Sequence, residues 1–339
     1  MVHEQKIIST AEVRDFLLQR QGEKTSLKEI RLELNISQGS RSFDAVRNIL
    51  FQLAEQREVV PLGQGFFRVV KQVSPVQVFG KKPASEKQLL FPRCYDTGLE
   101  MSFGEDIIMR EGDLILLSGR SNFGKTALCL NFCGANIALH PILMGNEYTT
   151  LGEEPAPKPR FLHALANMEW VNWKNGNGDA FSLLPVYGDY AEHIHRGKLN
   201  IIDWINQDAG ALWEISRTME GIKRELGRGI AIVAIQKGDD ANAGRGGQFT
   251  KDFADCELLL DRYGTSDEVK LTIGKVKESR RLVLGRTFAY KISRGVRITD
   301  FREVIRCQSC YGKGWIHNKP CESCQKIGWV DKPNSESIP

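Results

Sequence analysis

The sequence predicts an α/β protein built on a mostly parallel sheet, with a small helical unit before it and a compact cysteine-rich unit after it. Three observations predict this. Apolar runs of strand length alternate with amphipathic stretches through the middle of the chain, the order that builds parallel sheets. One junction between such a run and the helix after it reads Gly119-Arg120-Ser121-Asn122-Phe123-Gly124-Lys125-Thr126. Four cysteines crowd into two C-x-x-C pairs near the end.

The chain has 339 residues, room for two or three domains at about 150 residues each. Hydrophobic residues at 41% and charged residues at 26% suit a folded globular chain and exclude a disordered one. No stretch approaches the roughly 18 unbroken apolar residues of a membrane span. The opening MVHEQKIISTAEVRDF lacks the apolar segment of a secretory signal, so a cytoplasmic location is expected. The net charge of +4 hides an uneven spread, with fourteen Lys and Arg against four acids between Lys270 and Val330. Such a block suits either a polyanionic partner or a solvated basic face.

Residues 1–71 read as three helices and a hairpin. Ser9 and Thr10 can cap a first helix on which Val13, Phe16 and Leu17 share a face. Ser26 followed by Glu29 is a capping-box pattern for a second. A third, about Ser42 to Gln56, aligns Val46, Ile49, Leu50 and Leu53. Two β-prone runs then flank Gly63-Gln64-Gly65, a hairpin signal. The whole resembles a winged helix-turn-helix. The resemblance makes Arg41, Arg47 and Gln52 candidates for the reading helix, and Arg68 and Lys71 for the wing. The unit holds eleven basic and nine acidic residues, so both nucleic-acid binding and a docking or oligomerising role stay open.

Residues 72–94, with Pro75, Gly80 and Pro83 and no periodicity, read as a linker. The central unit is expected over 95–303. There an apolar run from Leu114 to Leu117 enters the Gly119–Thr126 segment, a G-x-x-x-x-G-K-T motif between a strand and a helix, which marks a P-loop. Its glycines let backbone N–H groups curl round phosphates, and the helix aims its positive end at them. Lys125 brings a mobile charge, and the Thr126 hydroxyl completes a Mg²⁺ shell. ATP and Mg²⁺ are thus expected ligands. Strands are also predicted at Pro141–Gly145, at KLNIID ending in Asp203, and at GIAIVAIQ ending in Gln236, with a helix near 211–226 before the last. Asp203 suits a carboxylate that holds the water shell of Mg²⁺.

Over about residues 95–300 the chain resembles the RecA/DnaB superfamily of oligomeric ATPases. The resemblance implies that Glu147, just past a strand, polarises the attacking water, and that Gln236 senses the γ-phosphate. It implies that the Gly-rich segment with Arg245, continuing to Lys251, is a loop for single-stranded DNA. It also implies a basic finger reaching a neighbouring subunit. The family's Lys-x-Arg pattern falls on Lys275 and Lys277, where the second place is Lys, with Arg280 and Arg281 nearby. The long N-terminal helical domain of replicative DnaB helicases and a RecA-type polymerisation motif are both missing. The implied activity is DNA-dependent ATP hydrolysis by a homo-oligomeric ring or filament, coupled to movement on or remodelling of DNA. The alternatives are an ATP-switched DNA-binding scaffold and a helicase-loader-like adaptor.

Residues 304–331 carry Cys307, Cys310, Cys321 and Cys324. Two C-x-x-C turns supply the four soft ligands of tetrahedral Zn²⁺. The first resembles the C-x-x-C-x-G-x-G repeat of the DnaJ zinc region, and the second keeps only the last glycine. Trp315 and Trp329, five residues after each second cysteine, are expected to pack round the metal, while His317 could replace a cysteine but is expected at the surface. Lys313, Lys319 and Lys326 offer phosphate contacts, or else the knuckle is a protein-binding knob. Cys94, Cys129, Cys133 and Cys256 sit among apolar residues and are expected as buried thiols. Residues 332–339 read as a disordered tail.

Overall fold

The structure, a computed structural model, describes residues 8–71, 73–75, 78–79, 85–145, 147–150, 152–176, 178–203, 212–237, 248–264 and 267–333. The chain divides into two compact units, 1–81 and 82–339.

In the first unit, Ser9 and Glu12 close a capping box on α1 (Thr10–Leu18). Ser26 and Glu29 close a second on α2 (Leu27–Glu33), and Ser40 caps α3 (Arg41–Glu55). These caps satisfy N–H groups that a helix start leaves bare. Strands β1 (Lys24–Ser26), β2 (Val59–Gly63) and β3 (Phe66–Val69) form an antiparallel sheet in the order β1-β3-β2. Only β1 was absent from the expectation, because three residues are too few to show alternation. Val13, Ile30, Val46, Leu50, Leu53 and Phe67 fill the core.

The second unit begins inside the stretch read as linker, which corrects that reading. Leu89, Phe91 and Cys94 are buried in the main core, and the Leu90 N–H donates to Asn136 Oδ1 at 2.9 Å. These residues pack in irregular backbone, which leaves no periodic trace in sequence.

The remaining elements run in chain order. They are β4 (Leu114–Gly119), α4 (Lys125–Ala135), β5 (Ile142–Met144), α5 (Pro159–Ala166) and the two-residue partners β6 (Lys174–Asn175) and β7 (Gly178–Asp179). Next come β8 (Ser182–Leu184), β9 (Leu199–Ile202), α6 (Leu212–Glu225), β10 (Ile230–Gln236) and α7 (Gln248–Phe253). The chain closes with β11 (Cys256–Arg262), β12 (Val269–Val276), β13 (Thr287–Ser293), β14 (Arg297–Arg306), β15 (Trp315–Ile316), β16 (Lys319–Pro320) and β17 (Trp329–Asp331).

Among the described residues, ten strands form one sheet in the order β17-β14-β13-β12-β11-β4-β10-β9-β5-β8. The six from β11 to β8 are parallel, and the four beyond β11 add antiparallel. The fold is therefore α/β with a large, mostly parallel central sheet. Strand β4 shows why its sequence is a continuous apolar run. Ile115 and Leu117 pack on the α4 side with Leu128 and Phe132, while Leu114 and Leu116 pack on the α6 side with Ile215, Met219 and Ile222. A strand covered on both faces has no polar side to show. Among the described residues, no helix is long and apolar enough to cross a membrane.

Candidate functional site

Parallel strands bring their C-terminal ends to one edge of the sheet. Gly119 lies beside Gln236 of β10 and Leu260 of β11 in register. Asp203 follows β9 directly, and Glu147 follows β5, the neighbour of β9. The chain leaves β5 through Gly145 at φ +142, where a Cβ would collide with the Asp203 carbonyl oxygen. Glycine is needed there by space as well as by backbone.

The loop from Gly119 to α4 winds through two left-handed residues, Asn122 (φ 65) and Gly124 (φ 77). A Cβ on Gly124 would meet Ile292 Cδ1. Gly124 is also the N-cap of α4 and offers no side chain, so the first helical N–H groups are left without a side-chain cap. Lys125 Nζ folds back over the loop and donates to the carbonyls of Gly119 at 3.0 Å and Arg120 at 2.7 Å. Above them opens a cavity of about 480 Å³, lined by residues 121–127 and by Glu147, Arg160, Asp203 and Gln236. Asp267, Val269, Ile292 and Gly295 from the antiparallel side close it.

Asp203 is fully buried. Neither of its oxygens, nor the hydroxyl of Tyr148, has a hydrogen-bond partner among the described residues. Burial pushes its carboxyl pKa up; the Thr126 and Tyr148 hydroxyls and the Lys125 ammonium pull the other way, with Glu147 adding to the rise. Burial likewise pushes the Lys125 ammonium down, against the pull of Asp203. An orphaned, buried carboxylate facing a threonine hydroxyl is a donor set that suits a hydrated divalent cation. Glu147 is engaged differently: Arg160 donates to its Oε2 at 2.5 Å. Next to Gln236, the buried Lys237 holds Asp261 through both carboxylate oxygens at 2.8 Å.

The remaining nominated residues do not line this cavity. Lys277 pairs with Asp255 at 2.6 Å, beside Lys223, and Asp255 precedes β11 at the end opposite Leu260 and the loop. Burial raises the Asp255 pKa, but the two ammoniums outweigh it and the net shift is downward. Arg280 pairs with Glu86 and donates to the Glu105 carbonyl at 2.7 Å. Lys251 donates to the Gly274 carbonyl at 2.9 Å and faces Glu257 at 3.4 Å. Arg245 lies outside the described residues. In the first unit Arg41, Arg47 and Arg68 are exposed.

A second centre sits at the far edge of the sheet. The sulfurs of Cys307, Cys310, Cys321 and Cys324 all lie within 4.8 Å of one another, and all four residues are buried. Sγ separations of 3.8 Å (Cys307–Cys321) and 3.6 Å (Cys310–Cys324) match the edge of about 3.8 Å in a tetrahedron with Zn–S bonds near 2.3 Å. The N–H groups of Gly314 and Gly328 each donate to a cysteine sulfur at 3.2 Å. The four thiols can thus hold a metal ion. Strand β17 returns from this centre to pair with β14, so its exit is an edge strand of the central sheet. Trp329 does not pack round the sulfurs as expected; it joins Tyr263, Ala289, Val304 and Ile327 on the sheet. Trp315 is 48% exposed, and His317 is exposed. Cys94, Cys129, Cys133 and Cys256 are buried free thiols.

Sequence reasoning missed Arg160, Asp267, Ile292 and Gly295. Arg160 carried a faint signal, as a cation at the start of an amphipathic helix soon after Glu147. The others reach the cavity only through strand order. No family model and no curated protein matches the chain. Among solved structures it is similar to the RadB recombinase, at 15% identity and a TM-score of 0.41 over 59% of this chain and 94% of that one. It is also similar to a DnaB-like replicative helicase described with its interactions with primase, at 14% identity and a TM-score of 0.40 over 59% of each chain.

Proposed function

We propose that the chain is an oligomeric ATPase of the RecA/DnaB type that couples MgATP hydrolysis to translocation on DNA or its remodelling, in replication or recombination. The observation that carries this reading is the convergence of Lys125, Thr126, Glu147, Asp203 and Gln236 on one cavity at the ends of parallel strands. In this reading the backbone of residues 119–124 and the start of α4 cradle the phosphates, and Lys125 turns from its carbonyls to the β- and γ-oxygens. Thr126 and Asp203 hold Mg²⁺, which when bound neutralises charge on the phosphate oxygens. Glu147 orients the attacking water, and Gln236 reports the γ-phosphate to the segment after it. Lys277 or Arg280 reaches a neighbouring subunit only after leaving the acids that hold it here. The first unit, as a winged helix, meets duplex DNA through Arg41, Arg47 and Arg68. Single strands meet Arg245 and Lys251, and the cysteine centre binds Zn²⁺.

The test is steady-state ATP hydrolysis with and without single-stranded and duplex DNA. Single strands are expected to stimulate the rate strongly, and Lys125→Ala to abolish it. Normal hydrolysis by Lys125→Ala, or a rate indifferent to DNA, defeats the proposal. One observation favours a second reading, an ATP-switched scaffold with slow turnover: Glu147 is already held by Arg160. Nucleotide-dependent assembly on DNA without unwinding would select it.

A further inference from the structure

The basic surplus of the C-terminal block is not spread evenly once ion pairs are drawn. Arg280, Arg286, Lys291, Arg297 and Arg302 each face a carboxylate within 4.0 Å. On the cysteine unit, Arg306, Lys313, Lys319 and Lys326 are exposed, and none is in an ion pair among the described residues. Glu322 is the one acid between Arg306 and Val330.

The same surface presents aromatic rings to solvent. Tyr311 is 81% exposed and Trp315 is 48% exposed. Lys326 Nζ stands 5.2 Å from the centre of the Trp315 ring. Trp329, anchored on the sheet, is flanked by Lys270 at 4.9 Å and Arg306 at 5.8 Å. The two cysteine turns that carry Tyr311, Trp315 and Lys326 lie against each other. A Cβ on Gly314 would strike the Lys326 carbonyl, and one on Gly328 the Gly312 carbonyl. The tightness has a conformational cost. Tyr311, Gln325 and Lys326 all adopt left-handed φ, at 53°, 48° and 72°, and Lys326 does so at the position equivalent to Gly312.

We propose that this face of the cysteine unit is a binding site for single-stranded nucleic acid. Tyr311 and Trp315 are the stacking platforms, and Arg306, Lys313 and Lys326 contact the phosphates. Unpaired cations beside exposed rings are the chemistry by which single strands are held without regard to sequence. A base-paired duplex hides the faces that the rings need, and a protein knob would not call for four unpaired cations against one acid. The site is separate from the ATP cavity and does not depend on hydrolysis.

The test uses the full chain loaded with zinc, without nucleotide, and a fluorescent oligothymidylate titrated at low and moderate salt. Lys125→Ala serves as the background, so that a failed ATPase assignment leaves the result readable. Stacking on each ring is worth about 1–3 kcal/mol, so Tyr311→Ala with Trp315→Ala should weaken binding about tenfold or more. Lys313→Ala with Lys326→Ala should lower the salt slope by about one to two. Binding should also quench tryptophan emission in the parent and less in Trp315→Phe. Zinc content equal to the parent's shows that each variant keeps its fold. Unchanged affinity in both double variants overturns the proposal, as does tighter binding of duplex than of oligothymidylate through these residues.

Discussion

Arg160, at the start of α5, grips Glu147 across the mouth of the cavity with a 2.5 Å hydrogen bond from Nη2 to Oε2. The arginine is 69% exposed and the glutamate 23%. Solvent-facing pairs of this kind contribute at most about 1 kcal/mol to stability, so the contact matters more to the site than to the fold.

Removing either partner should separate those two roles. Glu147→Gln should leave nucleotide binding intact while hydrolysis falls by at least about 100-fold, the scale of a lost general base. Arg160→Ala should leave the melting temperature nearly unchanged and raise the DNA-independent rate several-fold by freeing the carboxylate. Calorimetry beside a phosphate-release assay reads both. A fall in rate for Arg160→Ala would place its guanidinium on the phosphates instead.

Gly124 is held by two constraints that a mutant series can pull apart. Its φ of +77° costs a residue with a Cβ about 1–2 kcal/mol, and its Cβ would collide with Ile292. Gly124→Ala should therefore weaken nucleotide binding by tenfold or more. Adding Ile292→Ala should restore part of the loss, because it removes the collision and leaves the dihedral cost. No recovery at all in a fluorescent-nucleotide titration would show that Ile292 does not press on the loop.

Asp203 should reveal itself through pH. Its pKa is raised in the folded chain by burial, so the folded state holds its proton more tightly than the unfolded state does. Stability from this group is then lost as pH rises from the ordinary carboxylate range through the raised value. At neutral pH without Mg²⁺, Asp203→Asn should be more stable than the parent, because the amide carries no charge to hold away from water. The gap should close as pH falls towards 4 and reverse when MgATP is added. Urea melts at several pH values would show this, and a less stable Asp203→Asn at neutral pH would contradict it.

The cysteine centre should hold one metal ion per chain, given its single set of four sulfurs. Stripping it with a strong chelator, or Cys321→Ser, should bring the ratio to zero. It should also raise amide exchange across β15, β16 and β17, with little change in β4 or β10. Elemental analysis with hydrogen exchange tests both halves. Protection that stays equal in the stripped protein would mean that the turns hold themselves without metal.

Most of the loop side of the cavity could be read from the chain because its signals are local. The glycine spacing of 119–124 and the residues ending β9 and β10 lie within a few positions of one another or of a strand end, and the same locality made the capping pairs Ser9/Glu12 and Ser26/Glu29 of the first unit readable. The roof of the cavity was illegible for the opposite reason. Asp267, Ile292 and Gly295 reach it because β12 and β13 add to the sheet beyond β11, and no periodicity encodes strand order. The partners of the candidate finger were illegible in a related way. The family's Lys-x-Arg pattern nominates Lys277, with Arg280 nearby, but does not show that Asp255 and Glu86, distant along the chain, pair with them.

The position of β17 has a consequence for the lifetime of the protein in solution. It is three residues long and covers only Val304, Ile305 and Arg306 of the ten-residue β14. An uncovered strand of that length is a template on which other chains can pair. Pairing with β17, which leaves the cysteine turns, closes that edge only at Val304, Ile305 and Arg306. If the four thiols hold a metal, its loss should free β17 and lengthen the open edge of β14 by those three residues, favouring self-association before the interior comes apart.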